Sequence, residues 1–186
     1  FKQGKYGEAN ETFDLVLAEA PEGPYAAEAA YMKGKALEAL NHDEEALSAY
    51  SETERRHPKT KAAGSAALAR ARLLAGLNRP AAADAFAAYV ATYTRAGDPG
   101  TDQVLAEWGA ALNQAGRITE ADAVFTRLLE EFPEGTRAAE AHLNLAVSAF
   151  DARKFEETER HLAPLLKEGP ASEQALQRRA LFLQGR

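Results

Sequence analysis

Four histidines, His42, His57, His142 and His161, are the side chains in this chain best suited to proton or metal chemistry. Imidazole carries a proton near neutral pH and is a common metal ligand. Glu157 and His161 stand four apart, so one helix face could offer two ligands. A zinc site needs a third ligand and a convergent fourth position. His42 in a turn and His57 before Pro58 do not supply them, and His142 belongs to another helix of the same pair. The spacing therefore reads as surface histidines, with no metal and no cofactor. No nucleophile, base and orienting residue stand in a recognisable order. Asn10-Glu11-Thr12 fits a glycosylation sequon, but it falls inside a predicted helix. The expectation is a protein that is not an enzyme.

Composition narrows the remaining classes. The 186 residues carry a formal net charge of −6 and no cysteine. An acidic balance argues against a nucleic-acid surface, which needs a basic stripe, and against an anionic membrane face. Without cysteine there are no disulfides, thiolate nucleophiles or thiolate-bound zinc. No apolar run approaches the roughly 18 residues of a membrane span, so no direct membrane insertion is expected. The chain opens at Phe1 within one repeat and stops at Arg186 within a helix, which reads as a segment of a longer protein.

The elements that must position any site are short helices. Residues 102–133 read as two of them. Val104, Trp108 and Leu112 share one face of the first, and Gly116 punctuates its end. Thr119 and Asp122 form a T-x-x-D start signal for the second. There Ala121, Val124, Phe125, Leu128, Leu129 and Phe132 make a wide apolar stripe, stopped by Pro133. Neither helix can stand alone in water, so each must bury its stripe on a neighbour. For the same reason Trp108 is expected in the core.

The same hairpin recurs. Ala9, Ala46, Ala82, Ala121 and Thr158 hold equivalent places, spaced 37, 36, 39 and 37 residues apart. A period of this size signals a solenoid. Repeats fall at about 1–24 (a second helix only), 25–61, 62–98, 99–136, 137–171 and 172–186 (partial), one array of about ten helices. The pairs Gly34/Ala46, Gly109/Ala121 and Ala71/Ala82 are small where two antiparallel helices must approach closely. Pro80 suits the first turn of its helix. Asp98 before Pro99 could cap the helix that follows the 95–101 loop.

Trp108-Gly109, Ala121, Phe125 and Pro133, with their counterparts along the chain, resemble the tetratricopeptide repeat family. The resemblance departs at Thr53, Tyr89, Leu128 and Leu165, where the family's second small residue would stand. It implies an all-α, right-handed superhelical solenoid of antiparallel helix pairs, acting as a protein–protein interaction scaffold. The joint P-x-x-x-x-A-A-E-A, at Pro21 to Ala29 and Pro133 to Ala141, is similar to bacterial envelope members of the family. These are outer-membrane assembly lipoproteins and Tol-Pal-associated coordinators, which implies a bacterial, periplasmic or cell-envelope setting.

The resemblance also implies that first helices line a concave groove. Its outward positions give Tyr31, Lys35, Leu68, Arg72, Asn113, Leu143, Val147, Phe150 and Phe182 as partner-binding residues. An extended peptide or partner helix could lay apolar anchors on Leu143, Val147, Phe150 and Phe182. Its acidic group could meet Lys35 and Arg72. Against this, Lys35 can pair locally with Glu38, Arg72 can be solvated, and the apolar residues can pack within their own repeats. The alternative functions are a regulatory or sensor array fused to an effector domain and, from another class, an enzyme with its site between repeats.

Overall fold

Helices of thirteen to sixteen residues, each with a single apolar stripe, gain stability by lying against one another. The computed structural model describes residues 5–166 and shows that arrangement. Every regular element among the described residues is helical. The chain divides into two units. The first holds α1 (Tyr6–Glu19), α2 (Ala26–Ala39), α3 (Asp43–Arg56), α4 (Lys61–Gly76) and α5 (Ala81–Tyr93). The second holds α6 (Thr101–Gln114), α7 (Ile118–Glu131), α8 (Ala138–Asp151), α9 (Phe155–Leu162) and a 3-10 turn at Ala163–Leu166. The expected last helix, 172–186, lies outside the described residues.

The pairs α2–α3, α4–α5, α6–α7 and α8–α9 are the predicted hairpins. Their crossing points are the small residues the periodicity selects. Gly34, Ala71, Gly109 and Ala146 are buried on the first helices, and Ala46, Ala82, Ala121 and Thr158 on the second. Against them lie Tyr50, Phe86, Phe125 and Leu162, each almost wholly buried. A Cβ on Gly109 would stand 2.6 Å from Phe125 Cζ, and one on Gly34 would stand 2.6 Å from Tyr50 Cδ1. Any side chain there would push the hairpin apart. Val104 and Leu112 are core, as expected, whereas Trp108 is only half-buried. Its indole Nε1 is shielded from solvent and has no hydrogen-bond partner among the described residues.

One turn closes all four hairpins. The residue after the helix end, Asn41, Asn78, Gly116 or Arg153, takes a left-handed φ between 54° and 74°. Its N–H bonds three residues back, to Glu38, Ala75, Asn113 or Phe150. The next N–H, of His42, Arg79, Arg117 or Lys154, bonds five residues back at 2.8–2.9 Å. This is the Schellman arrangement, which satisfies otherwise orphaned carbonyls.

Two capping expectations are corrected. Helix α7 starts at Ile118 with no side-chain cap, so Thr119 and Asp122 do not start it as a capping pair. Arg117 donates instead to Glu120 through Nε and Nη2, both at 2.7 Å. Asp98 turns back to accept from the Arg95 N–H at 2.8 Å. The α6 N-cap is Gly100, again without a side-chain bond. In contrast, Thr60 does cap α4, its Oγ1 accepting from the Ala63 N–H at 3.1 Å.

Ion pairs and hydroxyls tie successive hairpins within each unit. In the first, Arg70 of α4 donates twice to the Glu54 carboxylate of α3, at 2.6 and 3.2 Å. In the second, Ser148 of α8 donates to Asp122 of α7 at 2.6 Å. Helix α1 differs from the rest. It has no buried residue, Leu15 is 65% exposed, and its one described ion pair to α2 joins Asp14 to Lys33 at 2.5 Å.

Candidate functional site

Antiparallel packing of α1 on α2 sets the first turn of one beside the last turn of the other. Between them lies a cavity of about 520 Å³, lined by Tyr6, Tyr31, Met32, Lys35, Glu38 and Ala39. Five residues of that lining come from α2, and Tyr6 closes the recess from α1. Its floor is tied to the hairpin core. The Tyr50 hydroxyl, reaching through from α3, donates to Glu38 Oε2 at 2.6 Å. Lys35 Nζ donates to the same oxygen at 3.0 Å. The rings of Tyr31 and Tyr50 stand 6.2 Å apart. Burial, then the Glu38 carboxylate, pushes the Tyr50 phenol far above its ordinary range. Tyr50 is therefore a permanent donor, and it holds Glu38 in place.

Of the expected groove residues in this unit, Tyr31 and Lys35 line the recess, but Leu68 and Arg72 are not in its lining. Leu68 is half-buried on α4 and Arg72 is exposed. The Lys35 ammonium is engaged by Glu38, the local pairing weighed against the partner-binding role. The sequence reading passed over Tyr6 and Met32. The signal for Tyr6 was available, since antiparallel packing places the start of α1 at the end of α2. A second recess, of about 350 Å³, opens on another side of α2, where Leu17 and Lys33 face Glu45 and Glu52. The exposed Glu52 is bonded to Arg55 and Arg56, and these hold its carboxyl down at about 2.

The second unit presents a different face. Asn113 Nδ2 donates to Asn144 Oδ1 at 3.2 Å, and Asn144 donates on to the Glu140 carbonyl at 2.9 Å. Leu143 is corrected from groove to core. It is 3% exposed and clusters with Ala146, Leu162 and Leu165. The 3-10 turn after α9 carries Leu165 back over it, which the helical period of α8 could not foretell. Ala106, another outward position by the same reasoning, is buried too. Val147 and Phe150 stay half-exposed at the edge of the Leu143 cluster. Phe150 meets Phe155 edge-on at 6.2 Å, and Phe155 is itself 60% exposed. Phe182 lies outside the described residues.

The histidines divide. His42 and His57 sit at helix boundaries, as expected. His142 and His161 are brought together, with Nδ1 atoms 3.2 Å apart across α8 and α9. Burial lowers the pKa of both. Among the described residues no three histidine, aspartate or glutamate side chains gather to hold a metal ion. No helix there is long and apolar enough to cross a membrane.

The tetratricopeptide repeat model matches residues 28–60 and 107–135, the α2–α3 hairpin and most of α6–α7. No curated protein matches the sequence. Among solved structures, a tetratricopeptide repeat protein from Parabacteroides merdae is 20% identical, with a TM-score of 0.72 over 98% of this chain and 68% of its own. YrrB, described as a TPR protein with an unusual peptide-binding site, is 19% identical. Its TM-score is 0.70, over 98% of this chain and 84% of its own. MamA from Desulfovibrio magneticus RS-1 is 16% identical, with a TM-score of 0.60 over 92% and 87% of the two chains. These likenesses establish the fold, an α-solenoid of antiparallel helix pairs. Proteins built on such repeats generally bind protein or peptide partners and are generally not catalysts.

Proposed function

We propose that this tetratricopeptide repeat protein is a non-catalytic scaffold that takes a peptide or partner helix along the outward stripe of its first helices. In this reading residues 1–186 are one repeat array within a larger bacterial protein. The observation that carries it is the recess beside α2. It joins two tyrosine rings and a methionine to a fixed carboxylate–ammonium pair, open at one side. Such a surface can hold an apolar or aromatic side chain and orient its backbone by hydrogen bonds. The peptide-binding site of YrrB supports the same use of the fold. In the second unit, the edge of α8 where Val147 and Phe150 remain half-exposed is a separate candidate surface.

The test is selection of peptides from a random library on the intact chain, followed by titration of the best binder. Tyr31→Ala should weaken binding by at least about tenfold, an anchor's ordinary worth, with helicity unchanged. Val147→Asp tests the α8 face by itself: it should weaken, by a similar factor, any selected peptide whose binding Tyr31→Ala leaves intact. A selected peptide that binds both variants as tightly as the parent would move the site elsewhere.

A further inference from the structure

His142 and His161 meet in a way that limits how many protons the pair can hold. Their Nδ1 atoms are 3.2 Å apart, their ring centroids 5.4 Å, and their planes are inclined at 47°. The rings thus touch nitrogen to nitrogen and do not stack face to face. That contact needs a proton on one Nδ1 and a lone pair on the other. A first added proton can go to the free Nε2 of the donor ring and leave the bond intact. A second must take the acceptor's lone pair, which breaks the bond and sets two cations side by side.

Both rings are half-buried at the α8–α9 crossing. The charged groups facing them among the described residues are few. Asp122 comes from α7, and Glu157 and Arg160 from α9. The 3-10 turn, Ala163–Leu166, brings no titratable group. Asp122 accepts from the Ser148 hydroxyl and keeps oxygen capacity for an imidazolium, while Arg160 opposes one.

From this contact we infer a pH-sensitive clasp on the α8–α9 hairpin, closed while the two rings share a proton and released when both carry charge. What it holds down matters. Leu162 and Leu165, on α9 and the turn after it, complete the cluster beneath Val147 and Phe150. Release therefore loosens the floor of the apolar face in this unit. Burial keeps the folded rings neutral below the pH at which they protonate in the unfolded chain. The unfolded chain then binds more protons, and stability falls as pH drops below histidine's ordinary value, about 6.5.

The experiment is an imidazole nitrogen NMR titration of the whole chain from neutral to acidic pH. Amide exchange of α8 and α9, corrected for intrinsic rates, is followed in parallel with His161→Gln. Glutamine can still bond His142 but cannot become a cation. In the parent the two rings should titrate in separate steps, and α9 exchange should rise by about tenfold beyond the second. In His161→Gln the corrected α9 exchange should stay flat. A single step at histidine's ordinary value in the parent, or equal exchange profiles in both proteins, overturns the clasp. If the variant does not fold, the parent's two-step or one-step titration decides alone.

Discussion

The α2–α3 and α6–α7 hairpins share one steric joint and differ in what stands behind it. In each a glycine on the first helix leaves room for an aromatic ring from the second. In α6–α7 the ring is Phe125, and the contact is packing alone. In α2–α3 it is Tyr50, whose hydroxyl passes the joint and reaches Glu38, and through Glu38 meets Lys35. The comparison separates two roles that repeat periodicity merges. The ring fixes how closely the helices approach, and the hydroxyl connects that core to the exposed recess. One oxygen atom turns a structural position into one that also arranges a surface.

The largest effect expected comes from breaking the shared joint. Gly109→Leu and Gly34→Leu should each cost about 1–3 kcal/mol by overpacking, read from thermal or denaturant unfolding. An unchanged melting temperature for Gly109→Leu would count against the register. Tyr50→Phe is a smaller and more selective change. It should cost about 0.5–1.5 kcal/mol, the worth of one hydrogen bond, while the ring keeps the joint closed. It should also let Glu38 move, so peptide affinity should fall in the recess beside α2. Equal affinity in Tyr50→Phe would mean that the hydroxyl serves stability alone. The smallest effect sharpens the comparison of turns. Gly116 takes the left-handed conformation without Cβ strain, whereas Arg153 holds it at φ 59°. Arg153→Gly should therefore raise stability by about 0.5–1 kcal/mol, relieved strain set against added unfolded-state entropy.

Much of the fold was readable because close approach demands small residues at fixed intervals. Gly34, Ala71 and Gly109, picked out by the period alone, all lie buried on the first helices of their hairpins. Helix starts were less readable. Thr119 and Asp98 have capping side chains, yet α7 begins with no side-chain cap and the Asp98 carboxylate turns back to the Arg95 N–H. A residue type that can cap is not obliged to where the preceding turn already closes. Leu143 shows another limit. Its period placed it on an outward stripe of α8, but a stripe's exposure depends on what folds over it, here Leu165. The Lys35–Glu38 pair, three residues apart on one helix, was legible because it is local. The meeting of His142 and His161 could also have been found. One lies four residues before Ala146 and the other three after Thr158, and in an antiparallel pair those offsets nearly cancel.

Helix α1, none of whose residues is fully buried, supplies one wall of the recess beside α2, and the more deeply packed α2 supplies the other. A molecule entering there would meet Tyr6 as well as α2, and so would add contacts to the helix that has fewest of its own residues buried. The earliest sign of occupancy would then be slower deuterium uptake along residues 6–19, ahead of any change in the hairpins. Lengthening the apolar stripe of α1 should tighten binding without touching a single atom that meets the guest.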